Sequence, residues 1–407
     1  MKKCTNILKD RLQKALKKSG GRKIAIFGYQ TPALITSAAL TYMHANLDCY
    51  LRLDHYMEGT EFFNRPVRAL EEVLQKERDH YFVIDVSHLN HQFEQVIQRF
   101  SLSEAEYSRL GGLFKYEACD LIDPLLAYNR MGNLAGFHIF GDRQDKRAMR
   151  IAALGGSTTD WTYSQMKGWP EYLHEKLEEA DVPNVIFNGG IVGYTSVQER
   201  DKFLRDVLQL SPDLVLVLSG DNDIGWNHGY RDRNFYSGYL IDQIVDPVYR
   251  KSKEPFEEVG YGLNEDIEDY ENWFRNQKLC RTISEEMGIR FYCFLQPSIF
   301  TAGYHADPFE KGWLDIMLGT GRNSFRTVSN ITENWKSFYD GARKLISSEN
   351  GFADLTDAFD EISGVYIDGI HCCEVGNEIL AGKIRDVILA DQLKEGSKFS
   401  IETEADV

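Results

Sequence analysis

The sequence predicts an α/β protein made of two units, each built on a parallel sheet. Short runs rich in Ile, Val and Phe alternate with longer stretches of helical periodicity, which is the pattern of strand–helix–strand units. The alternation occurs twice, over residues 21 to about 145 and again from Arg150 onward. With 407 residues, the chain also exceeds one ordinary domain. The expected organisation is a smaller α/β domain with its connector over 1–147, a larger α/β domain over 148–393, and an acidic, disordered tail over 394–407.

Each element has its own signal. Ile7, Leu8, Leu12, Ala15 and Leu16 recur at helical spacing among lysines, describing an amphipathic surface helix. Lys23-Ile24-Ala25-Ile26-Phe27-Gly28 reads as a strand ending in glycine, followed by a helix from Pro32 to about Asn46 and a strand from Asp48 to Asp54. Val67 to Lys76 reads as helix and Tyr81 to Val86 as a third strand. In the second unit, strands are expected at Arg150–Leu154, Asn184–Phe187, Asp213–Leu218 and Arg290–Gln296. Helices are expected at Trp169–Ala180, at Ser196–Leu210 and from Glu374, the last with Val375, Ile379, Ile384, Val387 and Ile388 on one face. The segment 226–280, rich in Tyr, Asp and Glu, reads as an insertion.

Composition removes several classes of function. Against 62 acidic residues stand 46 basic ones, a net charge of −16, which argues against nucleic acid or an anionic membrane as partner. No run approaches the roughly 20 apolar residues a membrane span requires, and the first twenty residues hold no apolar stretch of signal-peptide length. A cytoplasmic protein is expected. Seven scattered cysteines, with no CxxC pair, indicate neither a disulfide framework nor a structural zinc site. Cys372 and Cys373 follow a single histidine, so no metal is expected there. Sequence leaves the oligomeric state open.

Five residues carry the chemistry. Ser157 lies in Gly155-Gly156-Ser157-Thr158-Thr159 after the first strand of the second unit, and Gly193 follows the second strand in a glycine-rich loop. Asn222 follows the third strand in Gly220-Asp221-Asn222-Asp223, and Asp368 and His371 stand in Asp368-Gly369-Ile370-His371 before the last helix. Functional groups of a parallel sheet gather where strands end, so one shared edge is expected. A serine needs a base to take its proton, and a carboxylate sets the tautomer of that base. Backbone N–H groups of Ser157 and Gly193 and the Asn222 amide are three candidate donors to a developing oxyanion.

These blocks, in this order, resemble the SGNH branch of the GDSL hydrolases over about 148–391. The resemblance implies a three-layer α/β/α fold and catalysis by Ser157, Asp368 and His371, with Ser157, Gly193 and Asn222 forming the oxyanion hole and with no cofactor or metal. Trp169-Pro170 and Asn188 match surroundings frequent in such proteins. One departure is visible: Gly156 stands where the name-giving motif has aspartate. Thr159 replaces the last glycine of a GxSxG elbow, which argues against the α/β-hydrolase family. The first unit resembles the reduced Rossmann-like domains of sugar-modifying and polysaccharide-biosynthesis proteins. Only Gly28 is present where a dinucleotide fingerprint needs three glycines, although Asp54 is about where a ribose-binding acid falls.

The expected function is therefore a serine esterase acting on an O-acyl ester, acetyl on a carbohydrate being the expected substrate. Trp161, Trp226, Tyr230, Tyr236 and Trp313 are rings near the motifs that can stack on a sugar, although such rings more often fill cores. An O-acyltransferase to a glycan would use the same residues. A binding protein on an inactive hydrolase fold, or a nucleotide-dependent sugar enzyme centred on the first unit, are the alternatives from other classes.

Overall fold

The computed structural model describes residues 2–3, 6–28, 30–52, 61–62, 64–86, 90–110, 137–160, 166–191, 193–227, 267–301, 303–319 and 331–394. The acidic tail, Asp54, Cys4, Trp161, Tyr230 and Tyr236 lie outside the described residues, as does the Trp226 side chain.

Two six-stranded sheets form the frame. In the first, β2 (Lys23–Phe27) is central, flanked by β3 (Leu47–Arg52) and β6 (Tyr81–Asp85). The parallel ladder continues to β5 (Arg65–Ala69) on one side and β7 (Tyr107–Arg109) on the other, and the short β4 (Glu61–Phe62) runs antiparallel to β5. Alternate side chains face two helical layers. Ile24, Ile26, Phe82 and Ile84 face α1 (Ile7–Ser19) and α2 (Gln30–Tyr42), while Ala25, Phe27, Tyr81 and Val83 face α3 (Leu70–Lys76) and α4 (Asn90–Phe100).

The second sheet runs β13-β12-β11-β9-β10-β8. These are Phe352–Asp354, Arg290–Leu295, Leu214–Ser219, Met149–Gly155, Asn184–Asn188 and His138–Phe140 respectively, and only β8 is antiparallel. Ile151, Ala153, Leu214, Leu216 and Leu218 pack against α5 (Trp169–Glu178), while Ala152, Leu154, Val215 and Val217 face the opposite side. That opposite layer holds α6 (Ser196–Lys202), α8 (Asp269–Glu286) and α10 (Ile331–Ile346), and the short α7 (Asp221–Asn227) precedes α8. Helices α9 (Pro308–Gly319) and α11 (Glu374–Lys394) complete this unit, α11 lying beside α5. The architecture is the expected α/β/α sandwich, preceded by a smaller parallel α/β unit.

One apolar cluster joins the two units. It contains Leu8, Leu12, Ile35 and Leu40 from the first, and Phe309, Trp313 and Met317 of α9 from the second. Helix α2 is buried from Ala33 to Leu40 because it covers its own sheet and docks on α9. The two helices approach closely: a Cβ on Gly312 would lie 2.0 Å from the Tyr42 ring. Two short strands, β1 (Lys2–Lys3) and β14 (Ile362–Ser363), pair in parallel across the units. Asn6 caps α1 by accepting from Lys9 N at 3.1 Å, a contact of about 1 kcal/mol.

Several expectations are corrected. Arg65–Ala69 is a strand and only Leu70–Lys76 is helical; Pro66 and one β-branched residue among charges mask the strand signal. The segment after Ser196 winds as α-helix only to Lys202, then as π over Phe203–Val207 and 3-10 over Leu208–Leu210. On α11 Ile384 and Ile388 are buried and Ile379 and Val387 are half-buried against the same cluster as expected, but Val375 is exposed and Leu380 and Ala381 join the buried stripe. Asp269–Glu286, the first two thirds of which fall in the expected insertion 226–280, is a core helix that buries Trp273 completely; 228–266 are outside the described residues. Trp313 is fully buried in α9 and offers no ring to a sugar. Among the described residues no helix is long and apolar enough to cross a membrane.

Candidate active site

Strands β9, β10 and β11 are parallel neighbours, so the loops carrying Ser157 and Gly193 and the start of α7 carrying Asn222 leave the same sheet edge. Strands β10 and β11 lie on opposite sides of β9, a switch point of the kind at whose carboxyl ends open parallel sheets place their ligands. Gly155 makes the turn with a φ of 153°, and a Cβ there would lie 2.5 Å from Leu218 O. Ser157 follows in a turn in which Thr159 N and Asp160 N both donate to Gly156 O at 3.0 Å.

The glycine-rich loop is fastened to this turn. Gly189 N donates to Ala153 O at 2.8 Å and Ile191 N to Gly155 O at 3.1 Å, while Asn188 Nδ2 reaches Thr159 O at 2.8 Å. Gly193 sits further along at a φ of 75°, which a side chain would strain. Asn222 ties in the start of α7 by donating from Nδ2 to Tyr194 O at 2.9 Å. Its amide lies over Gly156, where a Cβ would come within 2.3 Å of Asn222 Nδ2. At 156, where the name-giving motif has aspartate, the glycine leaves room that the Asn222 amide fills.

Asp368 and His371 reach the same place from the far end of the sequence. Ser157 Oγ lies 2.6 Å from His371 Nε2, and His371 Nδ1 lies 2.7 Å from Asp368 Oδ2. Asp368 Oδ1 accepts from Ile370 N at 2.8 Å and from His371 N at 2.6 Å. All three side chains are buried. Burial pushes the Asp368 carboxyl up, but the His371 ring and these donors outweigh it and hold it below its ordinary value. All five residues picked from the sequence thus stand on two adjoining loops, the first turn of α7 and one hairpin. Thr158, whose Oγ1 donates to Gln296 Oε1 at 3.1 Å, adds the loop after β12.

Buried acids that the sequence reading passed over lie around them. Asp221 Oδ1 accepts from Trp335 Nε1 at 2.9 Å and Tyr339 Oη at 3.2 Å, and burial pushes its carboxyl up to about 6. Asp223 accepts from Ser196 Oγ at 2.6 Å and Ser196 N at 3.0 Å, and burial pushes it up to about 7. Glu199 Oε2 accepts from Ser219 Oγ at 2.7 Å and Gln277 Nε2 at 2.6 Å; burial first and then Asp223 drive it upward. The polar string around Asn222 was the only signal for the first two, and α8 supplies Gln277. Among the described residues no group of three or more His, Cys, Asp or Glu side chains is arranged to hold a metal ion.

These raised acids make a stability prediction. An unfolded aspartate releases its proton near pH 3.9, whereas folded Asp223 keeps it to about pH 7. In that window the folded state binds more protons, so stability falls as pH rises, is level above it and is unaffected below it. Asp223→Asn is expected to flatten the fall in unfolding free energy between about pH 4.5 and 7.5. Denaturant titrations at the two pH values check this, and a wild-type slope in the variant assigns the dependence elsewhere.

A serine, an imidazole and a carboxylate in one hydrogen-bonded chain, at the switch point of a parallel sheet, are the parts that nucleophilic acyl chemistry needs. Residues 153–291 match the family model described as GDSL-like Lipase/Acylhydrolase family, so the chain carries an ester-hydrolase domain of the SGNH type. The match includes Ser157, Gly193 and Asn222 and ends before Asp368 and His371. Among solved structures the chain is similar to the acetyl xylan esterase AlAXEase, at 15% identity over 59% of this chain and 100% of that one, with a TM-score of 0.38. It is similar also to Axe2, an acetylxylan esterase from Geobacillus stearothermophilus, at 15% identity over 60% and 96% of the two chains, with a TM-score of 0.33. No curated protein sequence matches the chain.

Proposed function

We propose that this protein hydrolyses an O-acyl ester through an acyl-enzyme. Ser157 Oγ attacks the ester carbonyl while His371 Nε2 takes its proton, and Asp368 holds the ring with Nδ1 protonated. The tetrahedral oxyanion is met by the N–H groups of Ser157 and Gly193 and by the Asn222 amide. Collapse breaks the ester C–O bond, and His371 returns its proton to the departing alcohol. Water then attacks the acyl-serine by the same steps. The observation that carries this reading is the chain of contacts from Ser157 Oγ through His371 to Asp368, at 2.6 and 2.7 Å.

The substrate class proposed is an acetyl ester of a carbohydrate, which rests on the resemblance of the first unit to domains of sugar-modifying proteins; Trp313 gives it no support. Acyl transfer to a glycan hydroxyl in place of water is the second reading. A panel of acetylated sugars and short aryl esters, with and without an added sugar acceptor, tests both. No turnover of any ester by the wild type, together with no labelling by a serine-directed phosphonate, overturns the proposal in favour of a binding protein.

The donor role of Asn222 is testable in two ways. Asn222→Ala is expected to lower kcat by about 10²–10³ with little change in KM, because the donor matters most in the transition state. Gly156→Ala is expected to act in the same direction, since the new Cβ displaces the Asn222 amide. A pure KM effect in both variants would make Asn222 a ground-state binding residue.

A further inference from the structure

The Asp368–His371 turn lies outside both six-stranded sheets. It is the tip of a short hairpin closed by Cys373 N donating to Val365 O and Ile367 N donating to His371 O, both at 2.9 Å. Side chains hold the hairpin's leading arm. Glu310, fully buried on α9, accepts from Gly364 N at 3.0 Å, Tyr366 N at 2.8 Å and Asp307 N at 2.9 Å. The Tyr304 hydroxyl donates to Glu310 at 2.7 Å and accepts from Val365 N at 3.3 Å. One more bond reaches this arm from the other unit: Asn6 Nδ2 donates to Tyr366 O at 2.9 Å.

Asn6 is itself 3% exposed, and its Oδ1 is occupied by the α1 cap. Its two polar atoms therefore lock the start of α1 to the arm two residues before Asp368. The pairing of β1 with β14 places a second junction just upstream, at Ile362 and Ser363. The tip is short, so a displacement of Tyr366 passes to Ile367 N and so to the His371 carbonyl it bonds. A 2.6 Å contact between Ser157 and His371 tolerates little of this.

From this geometry we infer that Asn6 and Glu310 are positioning residues for the Asp368–His371 pair, so that the N-terminal unit completes the acid–base half of the site. The inference rests on the triad reading above. Glu310 fixes the arm from within the second unit, and Asn6 makes that fixation depend on the first. The apolar seam between α2 and α9 holds α9, and with it Glu310, in register with Asn6.

Asn6→Asp in the full chain separates this role from helix capping. A carboxylate still accepts from Lys9 N, but it has no N–H for Tyr366 O. With an aryl acetate, kcat is expected to fall about ten- to a hundredfold at unchanged KM, as small misplacements of catalytic groups do. Phosphonate labelling of Ser157 is expected to slow in parallel, and both rates are compared per folded molecule at a temperature below the variant's unfolding transition, because a buried carboxylate against Tyr366 O also lowers stability. Glu310→Gln is expected to act in the same direction, and Asn6→Asp decides the matter if that variant does not fold. Wild-type kcat and labelling rate in Asn6→Asp overturn the inference and leave the triad standing, as does a loss that only tracks the folded fraction. A wild type inert to both ester and phosphonate removes the triad reading, and this inference with it.

Discussion

Replacing Ser157 by alanine is expected to abolish covalent labelling by a serine-directed phosphonate and to lower ester turnover by a thousandfold or more. The argument is chemical before it is structural. Alanine leaves the three proposed oxyanion donors and the imidazole in place but removes the only atom that bonds to the acyl carbon. What remains is water attack assisted by the same donors, a slow reaction that still exceeds the uncatalysed one. Ser157 is buried in a turn whose backbone bonds do not involve its hydroxyl, so the fold has little reason to change. Burst kinetics with an aryl ester give a second readout, since an acyl-enzyme releases alcohol before acid and the variant is expected to show no burst. A variant that retains most of the wild-type rate would move the nucleophile elsewhere.

The five candidate site residues could be picked out because each follows or precedes an element whose boundary follows from hydrophobic periodicity. Strand β9 is a run of apolar residues buried on both faces, and the glycine that ends it marks the turn. The same logic found the strand ends before Gly193 and Asn222. Helix α9 was not legible, and Glu310 with it. The helix is apolar on the side that meets α2, a partner some 270 residues earlier, and Glu310 looks like any surface glutamate until it is fully enclosed. Asn6 was visible only as a polar residue ahead of an amphipathic helix; its second bond spans 360 positions. Burial of Asp221 and Asp223 depends on α8 and α10 closing over a string that reads as a polar turn. Pairings between distant segments leave no periodic trace, and Arg65–Ala69 shows the same failure for a strand, since its partner β3 supplies the order that its own composition does not.

Asp368→Asn is expected to lower kcat by up to about 10⁴ while the protein stays folded. Asp368 uses its two oxygens differently: Oδ1 accepts the N–H groups of Ile370 and His371, and Oδ2 faces His371 Nδ1. Asparagine can keep its carbonyl oxygen on the two backbone donors, which preserves the turn. Its NH2 then points at Nδ1 and forces the tautomer with the proton on Nε2, facing Ser157 Oγ, where it cannot accept the serine proton. His371→Ala removes the base itself and is expected to fall at least as far, without recovering on addition of divalent metal. Stability carries a second signature. The Asp368 carboxyl is held below its ordinary value, so its ionised form stabilises the fold above the usual carboxylate range, and that contribution is lost as pH falls through the folded value. Asp368→Asn lacks the group that titrates, so its unfolding free energy is expected to depend less on pH on the acid side than that of wild type. Wild-type kcat in the asparagine variant, or a wild-type pH–rate profile in His371→Ala, would show that this imidazole is not the base.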